Sequence, residues 1–466
     1  MPQASTRRKF LKLAGQGLLV APATATLLSG SAAANPTAPP APVAPALRLS
    51  VRDFGATGDG ITKDTAALQQ ALDRCWVLGG GEVLVPAGTY LTGAIALRSQ
   101  VLLRLEKDAI LLGSPDLADY PVQQVRWEGK WVPGHLGLVY SLDAHATGVV
   151  GPGSIRGGPG LGGRPTPERP LRRPALIEPI GCTDLRFEDF ATDYALMWSL
   201  HPTYCERVVI KNLTIRSTGG NGDGIDLDSC QHVRIEGCDI STGDDCISLK
   251  SGRGLEGYTL ARPTTDVLIR DCTFADSIFA CIGIGSETSG GIRGVRIEHC
   301  RFTHAQTYAI YIKTRPGRGA FIEDVVVDDI DVAGTVAGFL RFNLLGSGLQ
   351  DQAPVPGEAG IPTVRNLHFS NVRVQNVPVL VEGTAVHPAK PLQGFTLTNV
   401  SGTCAQGIFL ANVQQAKLHN LHLTGYQEPL LHLSNVSGSG LAGAASLTPP
   451  SVPPPVPEPA QPYKLG

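Results

Sequence analysis

From residue 185 onward one apolar skeleton recurs along the chain, and it leaves few folds open. It reads Val208/Ile210/Leu213/Ile215, then Val233/Ile235/Cys238/Ile240, Val267/Ile269/Cys272/Phe274 and Val295/Ile297/Cys300/Phe302. It continues as Val325/Val327/Ile330/Val332, Leu367/Phe369/Val372/Val374, Phe395/Leu397/Val400 and Ala416/Leu418/Leu421/Leu423. Apolar residues two apart are the period of a half-buried strand. Units spaced by roughly 21 to 42 residues, with the interval set by loop insertions, mark a solenoid. No unit is large enough to enclose a core alone, so the units must stack. The expected fold class is all-β, a right-handed parallel β-helix; a propeller would want longer and more regular blades.

Residues 221–252, NGDGIDLDSCQHVRIEGCDISTGDDCISLKSG, hold two short strand patterns, each entered through a turn rich in aspartate. Laying one on the other puts Ile225 over Ile247, Leu227 over Leu249 and Asp223 over Asp245. Adjacent parallel strands would bring those carboxylates to about 5 Å, with Asp244 beside them. Three carboxylates so close cannot all ionise easily, so at least one pKa should be raised. Carboxyl groups pushed apart in pKa are what acid and base catalysis on a glycosidic bond requires. Each turn alone is an ordinary turn former; the two in register, followed by matching strands, single the stretch out.

The register extends to Ile282/Ile284 and Ile310/Ile312. Outward positions then form one row of Asp226, Ser248, Gly283 and Tyr311, and another of Asp228, Lys250, Gly285 and Lys313. The two glycines open space for a groove. Lys250 and Lys313 either meet a substrate carboxylate or lie on a solvated face paired with Asp228.

A length of 466 residues and a net charge of −2 suit one large domain or two ordinary ones and give no electrostatic footprint for nucleic acid. Past the N-terminus no stretch is long and apolar enough to span a membrane. Arg7 and Arg8, followed by a mildly apolar run to Leu28 and by Ala32, Ala33 and Ala34, read as a twin-arginine export signal over residues 1–34. Residues 35–47 are a linker rich in proline and alanine, 48–445 the β-helix, and 446–466 a proline-rich, disordered tail. The expected location is a bacterial periplasm or the exterior. Asp64 should cap a short helix running to Cys75, with Ala67, Leu68, Ala71 and Leu72 on its buried face. Such a helix covers the open sheet edges at the end of a solenoid. Among ten cysteines, Cys238, Cys272 and Cys300 share one repeat position and Cys182, Cys205 and Cys230 another. That reads as interior ladders more than as a disulfide framework. There is no Cys/His cluster with zinc spacing, so neither metal nor cofactor is expected. The expected partner is a polysaccharide or oligosaccharide substrate, and the expected state a monomer.

Asn221-Gly222-Asp223-Gly224, Gly243-Asp244-Asp245 and Tyr311-Ile312-Lys313 resemble the motifs of family 28 of the glycoside hydrolases, the polygalacturonase family. Lys250-Ser251-Gly252 and residues 285–291, GSETSGG, are similar to its exo-acting members. The resemblance covers the chain from about Asp53 to Asn420, and residues 51–113 resemble the N-terminal cap of pectin-degrading β-helix enzymes. It implies an inverting hydrolase of pectin-related polysaccharide or oligosaccharide. Asp244 is then the general acid, and Asp223 and Asp245 are the bases that activate water, with roughly 6.5–9.5 Å between acid and base. Lys313, Tyr311, Lys250, His201 and Asn221 are the expected substrate-binding residues; His201 either lines the site or is a buried structural histidine.

Two positions depart from the family. Phe279 or Ala280 falls where it has the histidine of Gly-His-Gly, and Tyr311 replaces the arginine that, with the lysine, grips a galacturonate carboxylate. Tyr311 is expected to stack on a sugar and to shift preference toward rhamnogalacturonan-type or branched fragments. Alternatives are pectate-lyase-type β-elimination, with the aspartates ligating calcium, and a non-catalytic glycan-binding β-helix.

Overall fold

The computed structural model describes residues 47–163, 166–195 and 197–457. The expected signal 1–34, the linker as far as residue 46 and the last part of the tail, 458–466, lie outside them.

The repeat skeleton is the vertical wiring of the fold. Its first column runs Leu185, Val208, Val233, Val267, Val295, Val325, Leu367, Phe395, each paired in parallel with the next. A second runs Ile215, Ile240, Phe274 and Phe302, then Val332 and Val374. The third carries the candidate site: Ile225, Ile247, Ile282, Ile310, Leu340, Val381, Ile408, Leu431. Each coil therefore lays one strand on each of three parallel faces and returns one strand spacing, about 4.8 Å, further along. The columns point inward and are buried in one continuous core. The corner between the first two columns is a single left-handed residue, such as Asn212, Asp271, Asn371, Asn399 or Asn420; Asn and Asp tolerate that conformation better than other side-chain-bearing residues. Asn399 Nδ2 donates to Asn371 Oδ1 at 3.0 Å and Asn420 Nδ2 to Asn399 Oδ1 at 2.8 Å, so these corners also stack through their side chains.

All ten cysteines are buried and unpaired, in line with interior ladders. The helix Thr65–Val77 buries Ala67, Leu68, Ala71, Leu72 and Cys75 against the core of the first coils. Asp64 does not cap it. Its carboxylate accepts instead from the Thr57 and Gly58 amides at 2.7 and 3.0 Å, fixing the turn before the helix. The tail also differs from expectation. Its described part, residues 447–457, has no helix or strand, but Val456 is buried and its carbonyl accepts from the Gly357 amide at 3.0 Å. Proline removes donors without preventing such docking.

Among the insertions that interrupt the coils, three bear on the site. One is the antiparallel hairpin of Val122–Trp127 with Lys130–His135. Its two turn residues, Glu128 and Gly129, both have positive φ, 45° and 78°, as a type I′ turn requires. The second is the short helix Gly254–Leu260, and the third is the loop 344–357 that follows the strand Gly338–Asn343. No helix among the described residues is long and apolar enough to cross a membrane.

Candidate functional site

The strand Ile225–Asp228 pairs with Ile247–Lys250 in the register read from the sequence, Ile225 opposite Ile247 and Leu227 opposite Leu249. The Gly224 amide donates to the Asp245 carbonyl at 3.0 Å. Their two aspartate turns are thereby stacked, and one oxygen of each of Asp223, Asp244 and Asp245 lies within 4.8 Å of the others. Measured between these oxygens, the separation is shorter than the roughly 6.5–9.5 Å expected between acid and base. The short separation has a simple cause: Asp244 and Asp245 are neighbours in sequence, and Asp223 sits one strand spacing away.

The three carboxyl groups have different surroundings. Asp245 is buried, and both of its oxygens are occupied. Oδ2 accepts from Lys313 Nζ at 2.6 Å and Ser248 Oγ at 2.7 Å, and Oδ1 from the Ala280 amide at 3.1 Å. Asp244 is only half-buried; burial and then the Asp245 charge raise its pKa. Asp223 is buried and its Oδ1 has no hydrogen-bond partner. Burial, followed by the charges of Asp226 and Asp244, pushes its carboxyl well up, and Lys250 at 3.7 Å offsets this only in part. Asp223 is thus harder to ionise than an ordinary carboxyl group.

Gly283 lies between the coils of Asp245 and Lys313, in the row Ser248, Gly283, Tyr311. A Cβ there would stand 2.5 Å from Asp245 Oδ2 and 3.1 Å from Lys313 Cε. The glycine opens no empty groove; it lets the lysine reach across one coil to the aspartate.

The remaining expected residues divide. Asn221 lines the cavity, held in a left-handed conformation at φ 58° with its Oδ1 unpartnered. Lys250 and Lys313 are both buried, so neither lies on a solvated face. Lys250 pairs with Asp226 rather than Asp228, and its ammonium lies 4.5 Å from the Trp198 ring. It supports Asp223 from below and is not a free grip for substrate. His201 does not line the site: it is 1% exposed, with its ring 4.2 Å from Trp198, which covers it, and Nδ1 3.7 Å from Glu178. Tyr311 is 6% exposed. Its ring stands 5.9 Å from Phe279 and 6.1 Å from Tyr308, and its hydroxyl accepts from Asn343 Nδ2 at 3.3 Å. So covered a ring has no free face to stack on a sugar. At the place of the missing histidine, Ala280 supplies its amide to Asp245 and Phe279 its ring to Lys313 at 4.5 Å.

Sequence reasoning missed the walls. A cavity of about 310 Å³ is lined by the three aspartates and by Glu128, Trp198, Arg253, Glu287, Gly348 and Leu349. Glu128 is the hairpin tip. Arg253 binds it at 3.2 Å and Asp351 of the loop at 3.2 Å. Arg126, lower on the hairpin, reaches Asp228 and Glu256, both at 3.0 Å. The alternation around Glu128-Gly129 is a legible hairpin signal; nothing in it says where the hairpin docks. The aspartates are also the one cluster of carboxylates among the described residues close enough to hold a cation, but lysine ammoniums already face Asp245 and Asp223.

The model of glycosyl hydrolases family 28 matches residues 168–340, and that of rhamnogalacturonase A/epimerase, pectate lyase-like, matches residues 48–106. A probable polygalacturonase of Vitis vinifera is 31% identical over 365 residues, 76% of this chain and 73% of the relative. A solved hyperthermoactive exopolygalacturonase of Thermotoga maritima superposes with a TM-score of 0.73 at 26% identity, covering 82% of this chain and 93% of that one. The family 28 exopolygalacturonase of Yersinia enterocolitica, at 20% identity, shares the fold, with a TM-score of 0.67 over 86% of this chain and 78% of its own.

Proposed function

The chain belongs to glycosyl hydrolases family 28, and from that premise we propose that it removes uronic-acid units from the ends of pectin-related chains, with Asp244 as general acid and Asp245 as base. It is an O-glycosyl hydrolase of pectin-related polysaccharide. The observation that carries the assignment of roles is the convergence of three aspartates within 4.8 Å under unequal surroundings. Asp244, with its raised pKa and its access to the cavity, holds the proton that the leaving oxygen needs. Asp245, paired with Lys313, takes a proton from water. Asp223 orients that water through its unpartnered oxygen.

The short carboxyl spacing would by itself suit a retaining mechanism. Inversion is favoured by Asp245, whose three accepted hydrogen bonds, one of them from an ammonium, blunt its attack on carbon and leave one acceptor site, on Oδ1, for a proton from water. Action from chain ends is supported by the insertions, which add Glu128, Arg253, Gly348 and Leu349 to the walls around the carboxylates, and by the likeness to exopolygalacturonase. Proton NMR of a polygalacturonate digest tests both points. The first product should be a small saccharide of inverted anomeric configuration. A retained anomer would make Asp245 the nucleophile, and a rapid fall in viscosity would show internal cutting.

Export belongs to the same proposal, supported by Arg7-Arg8 and the apolar run behind them. Changing both arginines to lysine is expected to leave the enzyme in the cytoplasmic fraction of a bacterial host. Unchanged periplasmic activity would exclude the twin-arginine route.

A further inference from the structure

An acidic substrate needs a cation that is not already committed, and the two lysines of the cavity are both held by aspartates. One coil beyond, the outward rows continue: Arg341 follows Tyr311 and Asn343 follows Lys313. The Arg341 guanidinium lies 5.3 Å from the centre of the Tyr311 ring and 5.6 Å from that of Tyr308. Its side chain is 32% exposed, and its carboxylate contact, with Glu382, is a long 3.4 Å. Glu382 is itself engaged by the Tyr308 hydroxyl. Phe279, half-buried beside Tyr311, gives this end of the groove an apolar edge.

We propose that Arg341 is a specificity-determining residue that binds the carboxylate of a uronic-acid unit lying toward the C-terminal coils from Asp244 and Asp245. This rests on the hydrolase reading above and deepens it. A planar guanidinium braced by two rings is pre-organised to donate two parallel hydrogen bonds to a carboxylate. The buried Tyr311 is then a brace for Arg341 and not a sugar platform. The substitution at 311 moves the carboxylate grip by one coil, and preference for acidic sugars is kept.

The test compares trigalacturonate with its carboxyl-reduced form on Arg341→Gln and Arg341→Lys. Arg341→Gln should raise KM for trigalacturonate about 10-fold or more, since a hydrogen bond to a charged group is worth that much. The KM for the reduced form should not change, kcat should move far less than KM, and Arg341→Lys should recover part of the loss. Equal losses on both saccharides, or no loss on either, would overturn the proposal. Calorimetric binding of trigalacturonate to the Asp244→Asn protein, with and without Arg341→Gln, separates the two claims. Binding that depends on Arg341 in a protein whose wild type hydrolyses neither saccharide would sink the hydrolase reading alone. Binding indifferent to Arg341 would sink this one.

Discussion

Asp244→Asn is expected to lower kcat on a pectic substrate by about 10²- to 10⁴-fold while the fold persists, because transfer of the proton to the leaving oxygen is worth that much. Asparagine keeps the shape and can still accept from the Asp245 amide, as Asp244 Oδ1 does at 3.0 Å. What it lacks is a proton to give. The wild-type rate should also fall on the alkaline side as Asp244 ionises. Burial and the neighbouring Asp245 charge raise its pKa, so that limb lies above the ordinary carboxyl range, and in Asp244→Asn it should disappear. Steady-state kinetics across pH checks both. Wild-type turnover in the variant would remove Asp244 from the acid role.

The largest expected effect on stability is that of Arg126→Ala. Arg126 is fully buried between the hairpin, the coil of Asp228 and the helix Gly254–Leu260. Its guanidinium also faces the Trp131 and Tyr204 rings at 5.1 and 5.3 Å. Removing it leaves Asp228, 1% exposed, without its counter-charge, and breaking a buried pair from one side costs about 3–5 kcal/mol. Burial alone would raise the Asp228 pKa, but Arg126 reverses this and holds it below the usual value. The stability contributed by Asp228 is therefore present at neutral pH and lost as pH falls through that lowered value. Denaturant midpoints at neutral pH check the loss, and Arg126→Ala with Asp228→Asn should recover part of it. A single variant as stable as wild type would mean that the hairpin docks through its aromatic residues alone.

The backbone of this fold was readable because its information is local and repeated. Pairs such as Val208/Ile210 and Ile225/Leu227 declare a strand and its inward face, and the same pairs recur in the next coil, so the register follows by sliding. The stacking of Asp223 on Asp245 came from that sliding. The fates of Lys250, His201 and Tyr311 did not, because alternation says only that a side chain points out of a coil. Whether it then meets water, a tryptophan or another coil's aspartate depends on insertions that dock from far along the chain. Arg126 reaches Asp228 across 102 positions, and Trp198 lies over His201 with Trp127 stacked on it at 5.6 Å. Asp64 was misread for a related reason: its sequence context fits an N-cap, and a nearby turn competes for the same carboxylate.

A chain wound so that each coil rests only on its neighbours opens from its ends. Among the described residues the terminal coils pair with another coil on one side only, whereas those from Ile225 to Asn343 have coils on both. Amide exchange should accordingly be fastest toward Arg48 and Ser446 and slowest in the third column near Ile247 and Ile282. The aspartates would then sit where fraying arrives last, and loss of an outer coil to a protease would leave their spacing intact.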